Sequence, residues 1–375
     1  MEFVAKQSAF LRELNLVQGV VEKKNTVPIL ANVLLSAESD RIGVMATDLD
    51  VSVRSSLAAS VTKEGALTVS ARKLHEIIRS LPDSEVHFKT DGENWAAIAC
   101  ERSHFRIMGL PKDDFPTLPV PGKAEKFTFG VQQFREMVQK VIFAVTEEDA
   151  RFALNGALMI LGQETATLVA SDGHRLAYVR RPLPAPPGGK GELRVVIPQK
   201  ALGEICRIAE VIGGELVLSR EENQIFFAMG RCMLSSKVLE GQFPNYEKVL
   251  PANNDKVVEL GRVGFADALR RVSLLANERS RAVKVSLGNG SLEISASNPE
   301  MGEAREAISA EYAGQEVEIG FNAKYLLDFL GAVESENVTL ELKDEATQGL
   351  LKPVHPKEAG EQKGEYKYVL MPMRV

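Results

Sequence analysis

Leu168-Val169-Ala170-Ser171-Asp172-Gly173-His174-Arg175-Leu176-Ala177-Tyr178-Val179-Arg180-Arg181-Pro182 is the stretch on which the reading of this chain turns. An apolar run, Leu168 to Ala170, meets the polar Ser171-Asp172-Gly173-His174, and a second extended run, Leu176 to Val179, follows. This predicts two strands joined by a tight turn, with Gly173 free to take a positive φ. The same pattern recurs. Val44 to Arg54, VMATDLDVSVR, is one copy, and Leu292 to Glu300, LEISASNPE, is a weaker one. Asp48 and Asp172 are 124 positions apart (172 − 48), and Asp172 and Asn298 are 126 apart (298 − 172). The 375 residues therefore read as three variations on one domain. Each would hold about 125 residues, an ordinary domain size.

Composition narrows the class. No apolar run approaches the ~18 residues of a membrane span. The opening MEFVAKQSAF lacks the basic flank and apolar run of a secretory leader. Cys100, Cys206 and Cys232 are far apart and form no CxxC motif, as expected of small buried residues in a reducing cytoplasm. A cytoplasmic location is the expectation. The net charge of −6 argues against a simple, tight DNA binder, yet allows positive charge gathered on one surface. His75, His87, His104, His174 and His355 have no metal-ligand spacing, and no phosphate-binding glycine loop is present. No metal and no cofactor is expected.

The elements can be placed within the repeats, with domains expected at 1–121, 125–251 and 256–375. A strand at Glu2 to Ala5 leads to a helix with Ser8 as its N-cap and Phe10, Leu11, Leu14, Val17, Val20 and Val21 on one face. A second helix starts near Ala71, with Leu74, Ile77, Ile78 and Leu81 apolar. Phe127 and Phe134 follow Phe3 and Phe10 by 124 positions (127 − 3 and 134 − 10). The later helices hold Phe134, Met137, Val138, Val141 and Ile142; Leu202, Ile205 and Ile208; Phe265, Leu269 and Val272; and Tyr325, Leu326, Phe329 and Leu330. Asp113 to Pro121 and Gly241 to Tyr246 punctuate the ends of the first two repeats, and His355 to Glu365 reads as an exposed loop. Two helices and many alternating strands per repeat define an α+β class, antiparallel sheets with one face under helices.

Aligning the repeats with one another places a lysine at the start of each second helix: Lys73, Lys200 and Lys324. The helix dipole favours anions there, so local electrostatics do not account for it. Arg72, Arg79 and Arg207 lie nearby, and Lys24, Arg135, Lys140, Arg151, Arg279 and Arg281 fall in or after the first helices. Any one such helix reads as a solvated face. Three in register predict a surface that meets phosphate backbones without reading bases. Ser171, Asp172 and His174 invite a hydrolase reading. Neighbours in a turn point in different directions, however, and no G-x-S-x-G elbow exists, so a polar rim beside an apolar groove is the better reading. Met371-Pro372-Met373-Arg374-Val375 suits either a core or an adaptable binding surface.

Thr26 to Leu30, Thr47 to Asp50, Leu154-Asn155-Gly156, Ser171 to Leu176, Phe243 to Tyr246, Asn277-Glu278-Arg279 and the ending Tyr368 to Val375, in this order, resemble the β subunit of bacterial DNA polymerase III, the sliding clamp family. The resemblance implies three tandem clamp domains forming half of a closed six-domain ring, a homodimer around duplex DNA with helices lining the hole. It implies a non-enzymatic processivity factor that tethers the DNA polymerase III α subunit, the clamp loader, other DNA polymerases, mismatch repair proteins and ligase. A partner-peptide pocket would use Leu154, Ser171, Gly173, His174, Arg175, Leu176, Pro244, Lys248, Val249, Ala346, Met371, Pro372, Met373 and Arg374. Arg102, His104, Arg106 and Ile107 would meet Leu274, Leu275, Glu300, Glu303 and Glu306 of a second copy, opposite charges steering assembly. Ser171, Lys248 and Val375 depart from the family's common threonine, arginine and leucine. The alternative reading is a protein-interaction scaffold that does not encircle DNA.

Overall fold

The computed structural model describes residues 1–21, 27–146, 152–162, 164–183, 192–355 and 364–374. Lys24, Arg151, Val375, Thr26 and most of the 355–365 stretch lie outside these residues. Six α-helices occur among the described residues: α1 Gln7–Gln18, α2 Ala71–Ser80, α3 Val131–Gln139, α4 Gln199–Val211, α5 Arg262–Val272 and α6 Ala323–Ala332. Every strand pairing is antiparallel, which agrees with the α+β expectation.

Two compact units are present. One comprises Met1–Arg135 and Lys200–Val238; the other comprises the described parts of 136–199 and 239–375. In the first, a 13-stranded sheet is completed where Val51–Ala58 pairs with Cys232–Lys237. The analogous pairing in the second unit joins Arg175–Pro182 to Glu365–Leu370 within an eight-stranded sheet. A four-stranded sheet of Ala282–Gly288, Ser291–Asn298, Gly302–Ser309 and Val317–Asn322 completes that unit. Strands from successive repeats are thus stitched edge to edge. Each join satisfies backbone groups that an edge strand would otherwise leave open.

The helices bury the expected stripes. Phe10, Leu14 and Val17 of α1, Leu74 and Ile78 of α2, Leu202, Ile205 and Ile208 of α4, and Phe265, Leu269 and Val272 of α5 are all buried. Phe10 sits edge-on to Phe3, which stacks on Phe88. In the second repeat Phe134 meets Phe129 and Phe227 instead, while Phe127 is buried separately. The N-cap expectation for Ser8 is corrected. The strand Glu2–Lys6 runs straight into α1, Lys6 takes the cap position without a side-chain bond, and Ser8 lies inside the first turn. The helix stops at Gln18, before Val20 and Val21. α2 and α6 are capped, by Ser70 accepting from the Lys73 amide and Asn322 accepting from the Lys324 and Tyr325 amides.

All three sequence-marked turns share one device. Asp48 Oδ1 accepts from the Asp50 and Val51 amides at 2.9 and 2.7 Å. Asp172 Oδ1 accepts from His174 and Arg175 at 2.9 and 3.0 Å. Asn298 Oδ1 accepts from Glu300 at 3.0 Å. A short side chain that bonds the backbone two residues on sets the reversal, which is why aspartate and asparagine recur at the position. Gly173 has φ +88°, as expected.

The thiols are structural. Burial pushes the Cys206 thiol up to about 11 and the Cys232 thiol up to about 12. Both stay protonated near neutrality and lack the reactive thiolate. Neither should alkylate with iodoacetamide at pH 8 until denaturant is added; mass spectrometry of the native protein checks this.

Candidate functional site: an apolar cleft, a set of helix cations and two open strand edges

The expected peptide site falls on an apolar cluster built where the second and third repeats are stitched. Leu154, Leu158, Val169, Leu176, Tyr178 and Val196 from one side join Phe243, Tyr246, Leu350 and Val369 in one apolar cluster. Alternation along Thr165–Ser171 and Arg175–Pro182 turns Val169, Leu176 and Tyr178 to this face. The rings of Tyr178 and Tyr246 lie 5.9 Å apart. Leu154, Leu176 and Val369 are 2% exposed or less, and half-buried Val249 and Leu250 pack against the cluster. Exposed Gly173, His174, Pro244 and Lys248 and half-buried Ser171 belong to the neighbouring turns. The terminal segment is held at two points: Met371 donates its amide to His174 O at 2.9 Å and Met373 donates to Gly320 O at 2.8 Å. Met371, Pro372 and Met373 are half-buried and Arg374 is exposed. Ala346 stands apart in the turn after Asn337–Leu342, its amide on Asp344 Oδ1 at 3.0 Å. Leu350, further along, is the residue that enters the cluster. Tyr178, Val196, Phe243, Tyr246, Leu350 and Val369 were not singled out from the sequence as cleft residues, although strand alternation marks several of them as inward.

Arg175 is drawn into a polar site beside the cluster. It is 7% exposed, and its guanidinium lies 4.2 Å from the centre of the Tyr325 ring and 5.5 Å from that of Phe143. Nε donates to Asp172 Oδ2 at 2.9 Å, Nη1 to Asp328 Oδ2 at 2.6 Å, and Nη2 to the Phe143 carbonyl. Burial opposes its charge, but Tyr368, Asp328 and Asp172 outweigh that and hold its pKa above the ordinary arginine value. The planar fork suits such a site, since it serves several fixed acceptors at once. Fully buried Tyr368 closes the site from below, stacked on Phe329 at 5.2 Å and donating to Tyr325 O at 3.0 Å. Ser171 Oγ donates to the Arg175 carbonyl at 2.8 Å, so the hydroxyl is engaged with backbone and Ser171, Asp172 and His174 form no nucleophilic relay.

The three recurrent lysines are all ion-paired. Lys73 Nζ lies 3.0 Å from Glu76, Lys324 2.9 Å from Asp328, and Lys200 2.5 Å from Asp48 in the preceding repeat's turn. Each carboxylate offsets the unfavourable dipole that the sequence left unexplained. Arg72 pairs with Glu76, Arg135 with Glu210, and Arg207 with Glu204 while also donating to Asn15 O and Leu16 O. The Lys140 ammonium sits 5.8 Å from the Tyr366 ring centre. Exposed Arg79, Arg279 and Arg281 have no carboxylate partner among the described residues. Arg281 and Lys324 line one cavity of about 560 Å³ beside Leu274 and Glu278.

Several strands keep an open edge among the described residues, and two of them carry the residues expected at the contact with a second copy. Ser103–Leu110 pairs along its length with Trp95–Cys100, but on its other side only Gly109 and Leu110 are paired among the described residues. Gly302–Ser309 ends the four-stranded sheet. Arg102, His104 and Arg106 are exposed at the first edge and Ile107 is half-buried; Glu300 and Glu303 are exposed at the second. Arg106 lies 3.4 Å from Asp91 and 4.4 Å from the Trp95 ring centre. Glu306 is held by Arg271 in a two-pronged pair of 2.6 and 2.9 Å. Leu275 is half-buried, while Leu274, Met301 and Met108 are 75, 58 and 62% exposed. The two methionines are edge residues that charge patterning alone did not reveal.

Three family models match in succession: the N-terminal domain of the DNA polymerase III beta subunit over residues 1–119, its central domain over 128–245 and its C-terminal domain over 247–374. The beta sliding clamp of Caulobacter vibrioides is 36% identical over 381 residues, with 100% of both chains covered. That of Escherichia coli K12 is 34% identical over 379 residues, again with 100% of both covered. A crystal structure of the Pseudomonas aeruginosa sliding clamp bound to griselimycin superposes with a TM-score of 0.93 at 35% identity, covering 100% of both chains. Fold and family likeness thus define a non-catalytic DNA sliding clamp of three tandem clamp domains. The chain belongs to the DNA polymerase III beta subunit family.

Proposed function

We propose that two copies close head to tail into a ring around duplex DNA, and that the cleft of each copy tethers the replicative polymerase by a short peptide. The observation that carries this reading is the edge-to-edge stitching of successive repeats, repeated twice, with the equivalent edges of Ser103–Leu110 and Gly302–Ser309 left unused. A heterologous contact that closes gives a ring.

The repeat relation supplies the register of the missing join. Cys100↔Ser103 closes one hairpin and Met229↔Cys232 its counterpart, so Arg106 corresponds to Ser235. Thr47↔Ser52, Ser171↔Leu176 and Ser297↔Glu303 flank the three turns, so Glu303 corresponds to Ser52. Ser52 pairs with Ser235. Glu303 of one copy therefore lies opposite Arg106 of the other, Gly302 opposite Ile107, and Ala304 opposite Phe105. The same relation turns the Asn298–Glu300 turn toward Lys73 on the second copy, as Asp48 meets Lys200 within the chain. Lys73 then serves the interface, and phosphate-facing charge rests chiefly with Arg79, Lys140, Arg279 and Arg281. A threaded ring holds DNA without tight contacts, which suits a net charge of −6.

An extended peptide would reach the apolar cluster past Val249 and Leu250, with Gly173, His174, Met371 and Met373 at its sides. Two clefts per ring favour retention by avidity. By family likeness the polymerase III α subunit, the clamp loader, other polymerases, mismatch repair proteins and ligase compete for this cleft in the cytoplasm, and the sequence repeats at 1–121, 125–251 and 256–375 are its clamp domains. No described helix is long and apolar enough to cross a membrane. The experiment is retention on closed circular against linear duplex after loading. The clamp should persist on circles and run off free ends, and equal retention on both would sink the ring. Deleting Met371 to Val375 should abolish α-subunit binding and leave the dimer intact.

A further inference from the structure

We propose that Asp328 on α6 is the positioning residue of the cleft: through Arg175 it fixes the Asp172–His174 turn beside which the partner peptide lies. This inference rests on the cleft reading above and adds the group that holds its rim in place. Asp328 is contributed from 153 residues beyond Arg175 in the chain. Its Oδ2 accepts from Arg175 Nη1 at 2.6 Å and from Lys324 Nζ at 2.9 Å. Arg175 passes the constraint on, because its Nε holds Asp172 Oδ2 while Asp172 Oδ1 holds the His174 and Arg175 amides. An unbroken chain of charged hydrogen bonds therefore runs from α6 to the His174 backbone. The His174 carbonyl then accepts from Met371, so the rim turn and the terminal segment are fixed together.

The first repeat shows what is special here. Its equivalent turn is held by Lys200 directly on Asp48, with the lysine side chain 37% exposed. The second repeat uses a buried planar cation between two aromatic rings, which admits far less movement. Neutralising Asp328 leaves Arg175 with a single carboxylate, and the turn loses its charged anchor on α6, keeping only the stack on Tyr325. Peptide binding then has to order the rim, and that cost appears as lost affinity.

The test is Asp328→Asn, which keeps size and shape, with fluorescently labelled polymerase III α subunit as the probe and the intact dimer as the receptor. The expected result is binding about tenfold weaker, with an unchanged dimer. Amide resonances of Gly173 and His174 should move while those of Leu49 and Asp50, in the first repeat's turn, stay in place. Asp328→Glu should restore binding to within about threefold, which general loss of packing would not do. If Asp328→Asn does not fold, Arg175→Lys carries the same test, since it keeps the charge but loses the fork. Unaltered affinity, or unmoved Gly173 and His174 resonances, would overturn the assignment. A wild-type protein that fails to bind the α subunit would overturn the cleft reading instead, with the resonances still reporting on Asp328.

Discussion

Glu303→Arg leaves the protein monomeric at concentrations where the unaltered chain is dimeric, Arg106→Glu does the same, and the two changes combined restore the dimer. This is the largest effect expected of any exposed pair in the molecule. Glu303 makes no ion pair within its own chain among the described residues, and Arg106 has a 3.4 Å contact to exposed Asp91 and a stacking contact with Trp95. Directly opposed residues on an antiparallel pair place their side chains on one face. A like-charge pair at a closing interface costs several kcal/mol, so each single change should raise the dimer dissociation constant by about 100-fold or more. The double exchange returns opposite charges to the same two positions and should fall within about tenfold of the original. Sedimentation equilibrium decides it. Failure of the double exchange to rescue means the strands meet in another register.

Arg175→Met should cost the second compact unit about 3–5 kcal/mol, the penalty for removing one member of a buried ionic group. Methionine fills the space between Tyr325 and Phe143 but takes the guanidinium from Asp172 and leaves Asp328 with Lys324 alone. The Phe143 carbonyl loses its guanidinium donor as well. Replacing both carboxylates along with the arginine, as Asp172→Asn and Asp328→Leu, should recover part of the stability but not α-subunit binding, because an apolar filling satisfies packing without holding the turn. Urea denaturation measures the first quantity and anisotropy the second. A variant as stable as the wild type would show that the guanidinium contributes little.

The turns were legible because their chemistry is local. Asp48, Asp172 and Asn298 bond backbone amides two or three residues away, so type and spacing sufficed. The helix faces were legible for the same reason: Phe10, Leu14 and Val17 repeat with the helical period. Ser8 misled because a cap-forming residue near a helix start signals a terminus without saying which residue turns the chain; here the incoming strand decides. The fate of Arg175 was hidden. Its partners come from Asp172, Phe143 and Asp328, and no local pattern brings the last two to it. The lysines were legible in position and not in state, since pairing with Asp48 depends on the join of Val51–Ala58 to Cys232–Lys237. That join pairs strands from different repeats, and strand edges carry no address in the sequence.

Cleft and scaffold are made of the same atoms. Leu154, Leu176 and Val369 belong to the apolar floor and also to the packing that holds the second and third repeats' strands together. For any compound that competed at the proposed peptide site, the escape routes would be narrow. Trimming one of these side chains to dislodge the compound opens a void costing about 2–5 kcal/mol, a large share of what keeps a domain folded. Resistance would have to arise at the exposed margin, at Pro244, Lys248 or Arg374, where a compound can be designed to make no demand.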